Sequence, residues 1–440
     1  MHLIVKLFAV AARQRNGVYM KKLFTSLLCC LLVVTCLLCT SSCLPIGIFL
    51  DDEDTSTETG KNEIPDGATI NVTGGDNYNV TVQGGTPANV AAANKALLSA
   101  VSIVAFQNES NDGWGGFGGS SSSSPKAASG SGVIYKLDKN KGEAYVITNH
   151  HVVYNSTSGV SKNIKVFLYG QEGYEDCAMS ATYVGGSLSY DIAILKITGS
   201  TVLINSIAAP AIFANSDEVS VLDTVIAIGN AQGSGISATV GYVNVESEYI
   251  TMTAADEKTE VTLRVIRTDA AVNPGNSGGG LFNDKGEVIG IVNAKSANNA
   301  VDNIGYAIPA NVAKSIAENI IHYCDNTNKT CVYRCLLGIT VTSENPKTVY
   351  NTENGKIYKS EDVTVTEITG TAAKQVLKAG DVLKSITIDG KKQDITLRHH
   401  VVDSMLDARE GSTVIITFVR DGSEQSATIT VTKDMIEAYK

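Results

Sequence analysis

Short apolar runs separated by turn residues recur through the middle of the chain. Between residues 132 and 292, about ten runs rich in valine, isoleucine and tyrosine alternate with turn residues, a spacing typical of an all-β domain. Residues 101–106 form another such run. The pattern therefore predicts a β-rich domain with residues 101–106 as its first strand.

Helical spacing occurs on both sides of these runs. Residues 88–100 are rich in alanine, which favours a helix. Residues 309–320 carry apolar residues four positions apart from Val312 onward, with Asn311 as the predicted helix cap. A second set of apolar runs closes with a predicted hairpin over residues 413–432. We therefore expect a second, smaller domain after the first.

Other segments lack this periodicity. Residues 46–90 are rich in threonine, serine, glycine and aspartate, and we expect a flexible tether because they cannot bury enough apolar surface to fold alone. Residues 108–129 are rich in glycine and serine, a composition typical of a flexible loop.

Residues 1–45 are typical of an export signal. Met20 and two lysines precede an uncharged apolar run of 17 residues, at positions 23–39. The sequence TSSC at residues 40–43 resembles a lipoprotein cleavage site, at which Cys43 would carry the lipid. A lipoprotein, an uncleaved membrane anchor and a fully secreted protein are the alternatives. Each places the bulk of the protein outside the cytoplasmic membrane.

Length and charge narrow the function classes. The chain has 440 residues, which predicts about two or three domains, because single hydrophobic cores rarely grow beyond about 300 residues. The formal net charge is −10, and lysine and arginine form no cluster. These features argue against nucleic-acid binding through a basic face.

Four cysteines lie beyond the export signal: Cys177, Cys324, Cys331 and Cys335. The last three fit no common zinc pattern, and the sequence shows no other ligand cluster, so we expect neither a metal nor an organic cofactor. A disulfide of Cys324 with Cys331, a disulfide of Cys324 with Cys335, and free thiols are the alternatives.

The sequence NPGNSGG at residues 273–279 is the strongest indication of chemistry. It lies between two apolar runs, residues 263–266 and 288–292. A serine in a glycine-flanked turn can expose its hydroxyl, and neighbouring backbone N–H groups can stabilise an oxyanion beside it. Ser277 is therefore a candidate nucleophile for acyl transfer.

A serine nucleophile needs a base, and the base needs an acid that orients it. His150 and His151 stand at the end of one apolar run, and Asp191 stands at the head of another. The chain order of histidine, aspartate and serine is that of the double-barrel serine proteases.

These segments resemble the HtrA family of trypsin-like serine proteases. The matching segments, in the family's order, are GSGVI at 130–134, TNHHVV at 148–153, DIAIL at 191–195, TDAAVNPGNSGG at 268–279 and GYAIP at 305–309. The resemblance implies a mainly β fold. It places a protease domain of two six-stranded β-barrels at residues 91–325 and a small α+β PDZ domain at residues 335–435.

The resemblance also implies a role for each site residue. His151, directly before two valines, would be the general base, and Asp191 would orient it. Ser277 would attack the peptide carbonyl, and the N–H groups of Gly275 and Ser277 would hold the oxyanion. His150 and the remaining histidines would then be surface or turn residues.

Two binding sites follow from the same resemblance. Ile291, Val292 and Asn293 would form the wall of the specificity pocket, and Ala271 and Val272 would lie near its base. Because no aspartate stands at that base, the pocket would accept small aliphatic residues.

The second binding site lies in the PDZ domain. The sequence LKAGDVL at residues 377–383 resembles a signature of bacterial PDZ domains, and residues 397–406 fit the helix that lines the peptide groove. In such domains a loop binds the C-terminal carboxylate of a peptide through backbone N–H groups. The loop residues would be Leu336, Leu337, Gly338 and Ile339.

The leading hypothesis is an exported, membrane-tethered serine endopeptidase that degrades misfolded or unfolded proteins and captures C-terminal peptides. A non-catalytic PDZ-based peptide-binding or chaperone-like surface protein is the rival, and a signalling protease with one dedicated substrate is a third alternative. The resemblance also implies a homotrimer. Trp114 and Phe117 are candidate contact residues, or they belong to an unstructured loop.

Overall fold

The computed structural model describes residues 70–71, 79–80, 88–107, 127–293, 304–324 and 332–439. The predicted export signal with Cys43, most of the predicted tether, and Trp114, Phe117 and Cys331 lie outside these residues. No helix in the described ranges has both the length and the apolar character needed to cross a bilayer. Two short strands, β1 (Ile70–Asn71) and β2 (Asn79–Val80), pair with each other.

Six antiparallel strands close a first barrel. They are β3 (Ala100–Phe106), β4 (Ala127–Asp138), β5 (Glu143–Thr148), β8 (Asn163–Leu168), β9 (Met179–Ser187) and β10 (Ile192–Ile197), and a small hairpin of β6 (Tyr154–Asn155) and β7 (Gly159–Val160) precedes β8. The order around the barrel is β10-β5-β4-β3-β8-β9. Apolar side chains that include Ile103, Ile134 and Leu195 fill its interior.

Six further strands close a second barrel. They are β11 (Thr224–Gly229), β12 (Ser237–Thr253), β13 (Glu260–Thr268), β14 (Gly280–Phe282), β15 (Val288–Asn293) and β16 (Gly305–Pro309). The order around the barrel is β11-β12-β13-β16-β15-β14. The predicted pair of six-stranded barrels is therefore confirmed.

One apolar cluster joins the two barrels. It contains Ile147 and Ile194 of the first barrel, Ile226 and Ile308 of the second, and a face of helix α4. The helices that precede or pack against the barrels are α1 (Ala88–Leu97), α2 (His150–Val153), α3 (Thr201–Ile204) and α4 (Ala310–Tyr323). Burial in a common cluster fixes the two barrels relative to each other.

Asn311 does not cap helix α4, contrary to the prediction. The cap position is Pro309, and Asn311 lies inside the first turn. Its side-chain amide donates to Asn215 Oδ1 at 2.8 Å and to Asp217 Oδ2 at 3.1 Å. The residue therefore ties the helix to a neighbouring loop.

Residues 332–439 form an open sheet, the second sheet, and a separate two-stranded ribbon, and the region has its own core. The strands are β17 (Val332–Cys335), β18 (Ile339–Asn351), β19 (Lys356–Ile368), β20 (Val382–Ile388), β21 (Lys391–Asp394), β22 (Thr413–Arg420), β23 (Ser423–Thr430) and β24 (Ile436–Tyr439), and the helices are α5 (Thr371–Lys374) and α6 (Arg398–Ser404). The sheet order is β18-β19-β20-β22-β23, with β21 paired to β20. Strands β17 and β24 form a separate ribbon. Val365, Ile386 and Phe418 lie in the core of this region.

The structure excludes some of the alternatives considered for the cysteines. Cys324 is disulfide-bonded, whereas Cys335 is a buried free thiol. The Cys324–Cys335 pairing is therefore excluded. Cys331, the other candidate partner, lies outside the described residues.

A buried ion pair joins the second barrel to the second sheet. Arg264 Nη2 of β13 lies 2.5 Å from Asp403 Oδ2 of α6, and the two side chains are 8% and 22% exposed. Burial raises the pKa of Asp403, and the neighbouring Arg264 charge opposes that rise. Asp217 is the next carboxylate, with its Oδ1 at 4.0 Å from Arg264 Nη2.

Asp403→Ala should destabilise the protein strongly, because it leaves the buried Arg264 guanidinium without its closest counter-charge. Breaking a buried pair from one side costs about 3–5 kcal/mol. Chemical denaturation of the full chain measures the change. The matched control is Asp394→Ala, which removes an exposed ion pair with Lys392. Equal unfolding midpoints for the two variants would contradict the expectation.

Candidate active site

The register of the first barrel brings His151 and Asp191 together. Strands β5 and β10 are antiparallel, and Thr148 faces Ala193. Asp191 directly precedes β10, and α2 begins with His150 shortly after β5 ends. Two residues that are distant in sequence therefore meet at one end of the barrel.

Asp191 is a buried carboxylate, 4% exposed. Its Oδ2 accepts hydrogen bonds from His151 Nδ1 at 2.6 Å and from Asn293 Nδ2 at 2.9 Å. Its Oδ1 accepts from the His151 backbone N–H at 3.0 Å. Because an ionised carboxylate only accepts, the His151 proton is on Nδ1 and the lone pair is on Nε2. This tautomer is the one that a general base needs.

The ionisation of Asp191 depends on these contacts. Burial by itself would raise the pKa of the carboxyl group, but the charge and hydrogen bonds of His151 outweigh it, and the pKa lies below its usual range. Asp191 therefore stays ionised beside the imidazole. It can stabilise the imidazolium that forms during proton transfer.

The backbone of Asp191 is held in an unusual conformation. Its φ is 50°, in the left-handed region that non-glycine residues rarely adopt. The Asp191 carbonyl accepts hydrogen bonds from Asn149 Nδ2 at 2.9 Å and from the His150 N–H at 3.1 Å. These contacts help to hold the strained conformation that aims the carboxylate at His151.

The turn that carries Ser277 is held by both barrels. The Ser131 N–H of β4 donates to the Ser277 carbonyl at 2.8 Å, and the Gly278 N–H donates to the Val292 carbonyl of β15 at 2.9 Å. Ser277 itself is 6% exposed. The serine therefore lies where the two barrels meet.

Two glycines in this turn cannot be replaced. Gly275 and Gly278 have φ values of 99° and 84°. A Cβ atom at Gly275 would overlap the Asn230 carbonyl, and one at Gly278 would overlap the Thr148 hydroxyl. Among the described residues, the Gly275 N–H has no hydrogen-bond acceptor. It is therefore available for an oxyanion.

The comparisons with known proteins agree with this geometry. Residues 130–291 match the trypsin-like peptidase domain family. The serine protease Do-like HtrA of Bacillus subtilis (strain 168) is 34% identical over 341 residues, which are 75% of this chain and 69% of that protein. The protein of the same name from Lactococcus lactis subsp. cremoris (strain MG1363) is 32% identical over 367 residues, 78% of this chain and 82% of that protein. The chain belongs to the HtrA family of serine proteases.

Family membership makes the protein a serine endopeptidase. A third relative, the periplasmic serine endoprotease DegP of Escherichia coli (strain K12), is 33% identical over 315 residues, 71% of this chain and 58% of that protein. The match to the trypsin-like family begins at Gly130 and therefore includes the segments that carry His151, Asp191 and Ser277.

The predicted pocket residues of this HtrA protease differ from one another in how far they are buried. Ile291 and Val292 are buried in the apolar clusters of the barrels. Ala271 is exposed, and Val272 packs partly buried against the second-barrel cluster. A pocket along β15 would therefore be lined by backbone more than by these side chains, and its assignment stays a prediction.

Asn293 has a structural role that the sequence does not indicate. It ends β15, and its side chain is buried and donates to Asp191. The bond crosses from the second barrel to the first. A polar residue at the end of a continuous apolar run was the only signal in the sequence.

The prediction that His150 is a surface or turn residue is wrong, because the residue is buried. Its ring stacks on Tyr154 with the centroids 5.0 Å apart, and Nε2 lies 3.2 Å from the Tyr183 hydroxyl. Burial lowers its pKa to about 4. The space beside Gly186 accommodates the ring, since a Cβ there would overlap it.

His399 and His400 are also buried, so the surface prediction is wrong for them as well. They approach Asp217 closely enough to suggest a metal site. However, His400 Nδ1 accepts backbone N–H groups of Thr396 and Leu397, each at 3.3 Å. The neutral ring therefore carries its proton on Nε2, which faces Asp217 Oδ2 at 3.8 Å and has no lone pair to offer a metal.

The predicted carboxylate-binding loop borders a cavity of about 300 Å³. Leu336 to Ile339 line one side of this cavity, and Val401, Val402 and Met405 line the other. The Leu336 N–H already donates to the Met435 carbonyl at 2.7 Å. Among the described residues, the N–H groups of Leu337 and Gly338 have no such acceptor.

Asn293→Ala should reduce kcat, because Asp191 loses one of its three side-chain hydrogen bonds. A hydrogen bond to a charged group contributes about 1.5–3 kcal/mol, which converts to a fall in kcat of about 10- to 100-fold. Steady-state kinetics on an unfolded protein substrate measure it. The control is Asn283→Ala, whose side chain bonds to Glu287 at a turn. Equal kcat values for the two variants would show that Asn293 does not support Asp191.

Proposed function

We propose that this protein is an exported serine endopeptidase that hydrolyses peptide bonds of unfolded or misfolded proteins with a triad of Ser277, His151 and Asp191. The single observation that carries the proposal is the 2.6 Å contact of His151 Nδ1 with the buried Asp191 carboxylate. It puts the ring proton on Nδ1, so that Nε2 carries the lone pair that a general base needs. The protease domain would span residues 91–325.

The reaction follows from these positions. His151 Nε2 takes the Ser277 hydroxyl proton as Oγ attacks the peptide carbonyl carbon, and Asp191 stabilises the resulting imidazolium. The N–H groups of Gly275 and Ser277 stabilise the oxyanion. Collapse breaks the C–N bond, and the imidazolium gives its proton to the leaving amine. Water, deprotonated by His151, then hydrolyses the acyl-enzyme.

The region at residues 335–435 would act as a PDZ domain that captures C-terminal peptides. The cavity between the Leu336–Ile339 loop and α6 supports this role, and so does the position of β18 at the edge of the sheet. A peptide strand could add to β18, with its carboxylate near the N–H groups of Leu337 and Gly338.

The protein would act outside the cytoplasm and be tethered to the membrane by its N-terminal segment, as a lipoprotein through Cys43 or through an uncleaved anchor. The uncharged run at residues 23–39 supports export, and the relative named as periplasmic is consistent with it. The specificity pocket would take small aliphatic residues. A homotrimer is the proposed assembly.

Ser277→Ala in the full chain should abolish casein turnover, because the nucleophile is removed while the fold is retained. The expected fall in kcat is about 10⁴-fold or more. The control is Ser423→Ala, an exposed strand residue, which should retain full turnover. Casein turnover by Ser277→Ala equal to that of the native protein would favour the rival function, a non-catalytic peptide-binding protein.

Peptide capture is tested separately in the Ser277→Ala background, where no cleavage interferes. A fluorescent peptide with an apolar C-terminus should bind, and its C-terminal amide should bind at least about tenfold more weakly, because the amide loses the charge-assisted hydrogen bonds to the loop. Val402→Glu should weaken binding of the free acid, since Val402 lines the cavity and is exposed. Equal affinity for acid and amide would refute carboxylate capture.

A further inference from the structure

The ribbon of β17 and β24 reaches the residue next to Asp191. Tyr439 of β24 packs against Tyr190, with the ring centroids 5.4 Å apart and the rings tilted by 53°. Both rings also pack against the apolar cluster that joins the barrels. A side chain from the far end of the described chain therefore contacts the immediate neighbour of the catalytic-site carboxylate.

Arg334 of β17 completes this group. Its guanidinium carbon lies 3.4 Å from the centroid of the Tyr439 ring, a close cation–π contact. Its Nε is buried and has no hydrogen-bond partner among the described residues. Its charge also reaches Tyr190, because it opposes the burial that raises the pKa of Tyr190 to about 12. Arg334 thus holds the Tyr439 ring in place beside Tyr190.

The packing around Tyr190 affects the backbone conformation of the next residue, Asp191. Asp191 has a φ of 50°, and such a residue keeps its conformation only when its surroundings determine it. Tyr190 is joined to it by one peptide bond, and the Tyr190 N–H donates to the buried Ser187 hydroxyl at 3.3 Å. Fixing the Tyr190 ring therefore restricts the backbone that aims the Asp191 carboxylate at His151.

We propose that Tyr439, held by Arg334, is a positioning residue for Asp191 that acts through Tyr190. The inference rests on the proposed triad, because it assigns a task to the contact between Asp191 and His151. It makes the β17–β24 ribbon, which leads into the second sheet, part of the support of the active site. Tyr439 does not touch the reacting atoms.

Tyr439→Ala should lower kcat with little change in KM, since the binding surface is untouched. Loss of precise positioning costs about 10- to 100-fold. The kcat is measured per active site, counted with a serine-reactive fluorophosphonate, so that a merely unfolded fraction does not lower it. Tyr439→Phe retains the ring and should stay within about twofold of the native protein.

The control and a second variant keep the test decisive. Tyr333→Ala removes a ring from the adjacent position of the same ribbon, where it packs on Tyr323 with the centroids 4.5 Å apart. It should leave kcat and KM unchanged. Tyr439→Leu keeps apolar bulk without the ring, and it replaces Tyr439→Ala if that variant fails to fold. Tyr439 is preferred to Arg334 as the site of change because Arg334 also lines the peptide cavity.

The outcomes separate this inference from the proposed function. A native-like kcat in Tyr439→Ala, or in Tyr439→Leu where the alanine variant does not fold, with Ser277→Ala inactive, would overturn the positioning role and leave the triad intact. Full turnover by Ser277→Ala would overturn the triad itself. A fall in kcat at unchanged KM in the Tyr439 variants, rescued in Tyr439→Phe and absent from Tyr333→Ala, supports the positioning role.

Discussion

The buried negative charge of Asp191 is the constraint on which the rest of the site depends. Removing a carboxylate from water costs several kcal/mol unless donors compensate it. The donors here come from both barrels: His151 supplies its ring and its backbone N–H, and Asn293 supplies its amide. The hydrogen bonds that compensate the Asp191 charge therefore connect His151, which follows β5, to Asn293 at the end of β15. The tautomer of His151 follows from the same arrangement.

Ser131 provides a second link between the barrels. Its hydroxyl donates to the Gly275 carbonyl and accepts the Asn230 N–H, both at 2.7 Å, while its own N–H donates to the Ser277 carbonyl. The residue is fully buried, so each of these bonds is needed to satisfy its polar atoms. The turn that carries Ser277 is thus a product of packing between the barrels, not of its glycines alone.

These links show what the sequence could and could not predict. Apolar periodicity predicts the strands, because strands and tight turns are encoded locally. The resemblance carried by the short motifs implies the two barrels and the roles of His151, Asp191 and Ser277. The contact of Asn293 with Asp191 has no local signal, because it joins residues far apart in the chain. The sequence also gives no sign that His150 is buried, because its burial depends on the space beside Gly186, which no local pattern reveals.

The attachment of the second sheet combines two kinds of contact with different consequences. Apolar packing of Val332 and Leu406 against the common cluster supplies stabilisation without a strict geometry. The ion pair of Arg264 with Asp403 restricts the placement of the sheet relative to the barrel, because a buried charge is stable only when its partner is in contact. From the sequence alone, such charged residues would be predicted to lie on the surface. The relative placement of barrels and sheet therefore depends on charge satisfaction as much as on burial, and it becomes visible only when both partners are seen together.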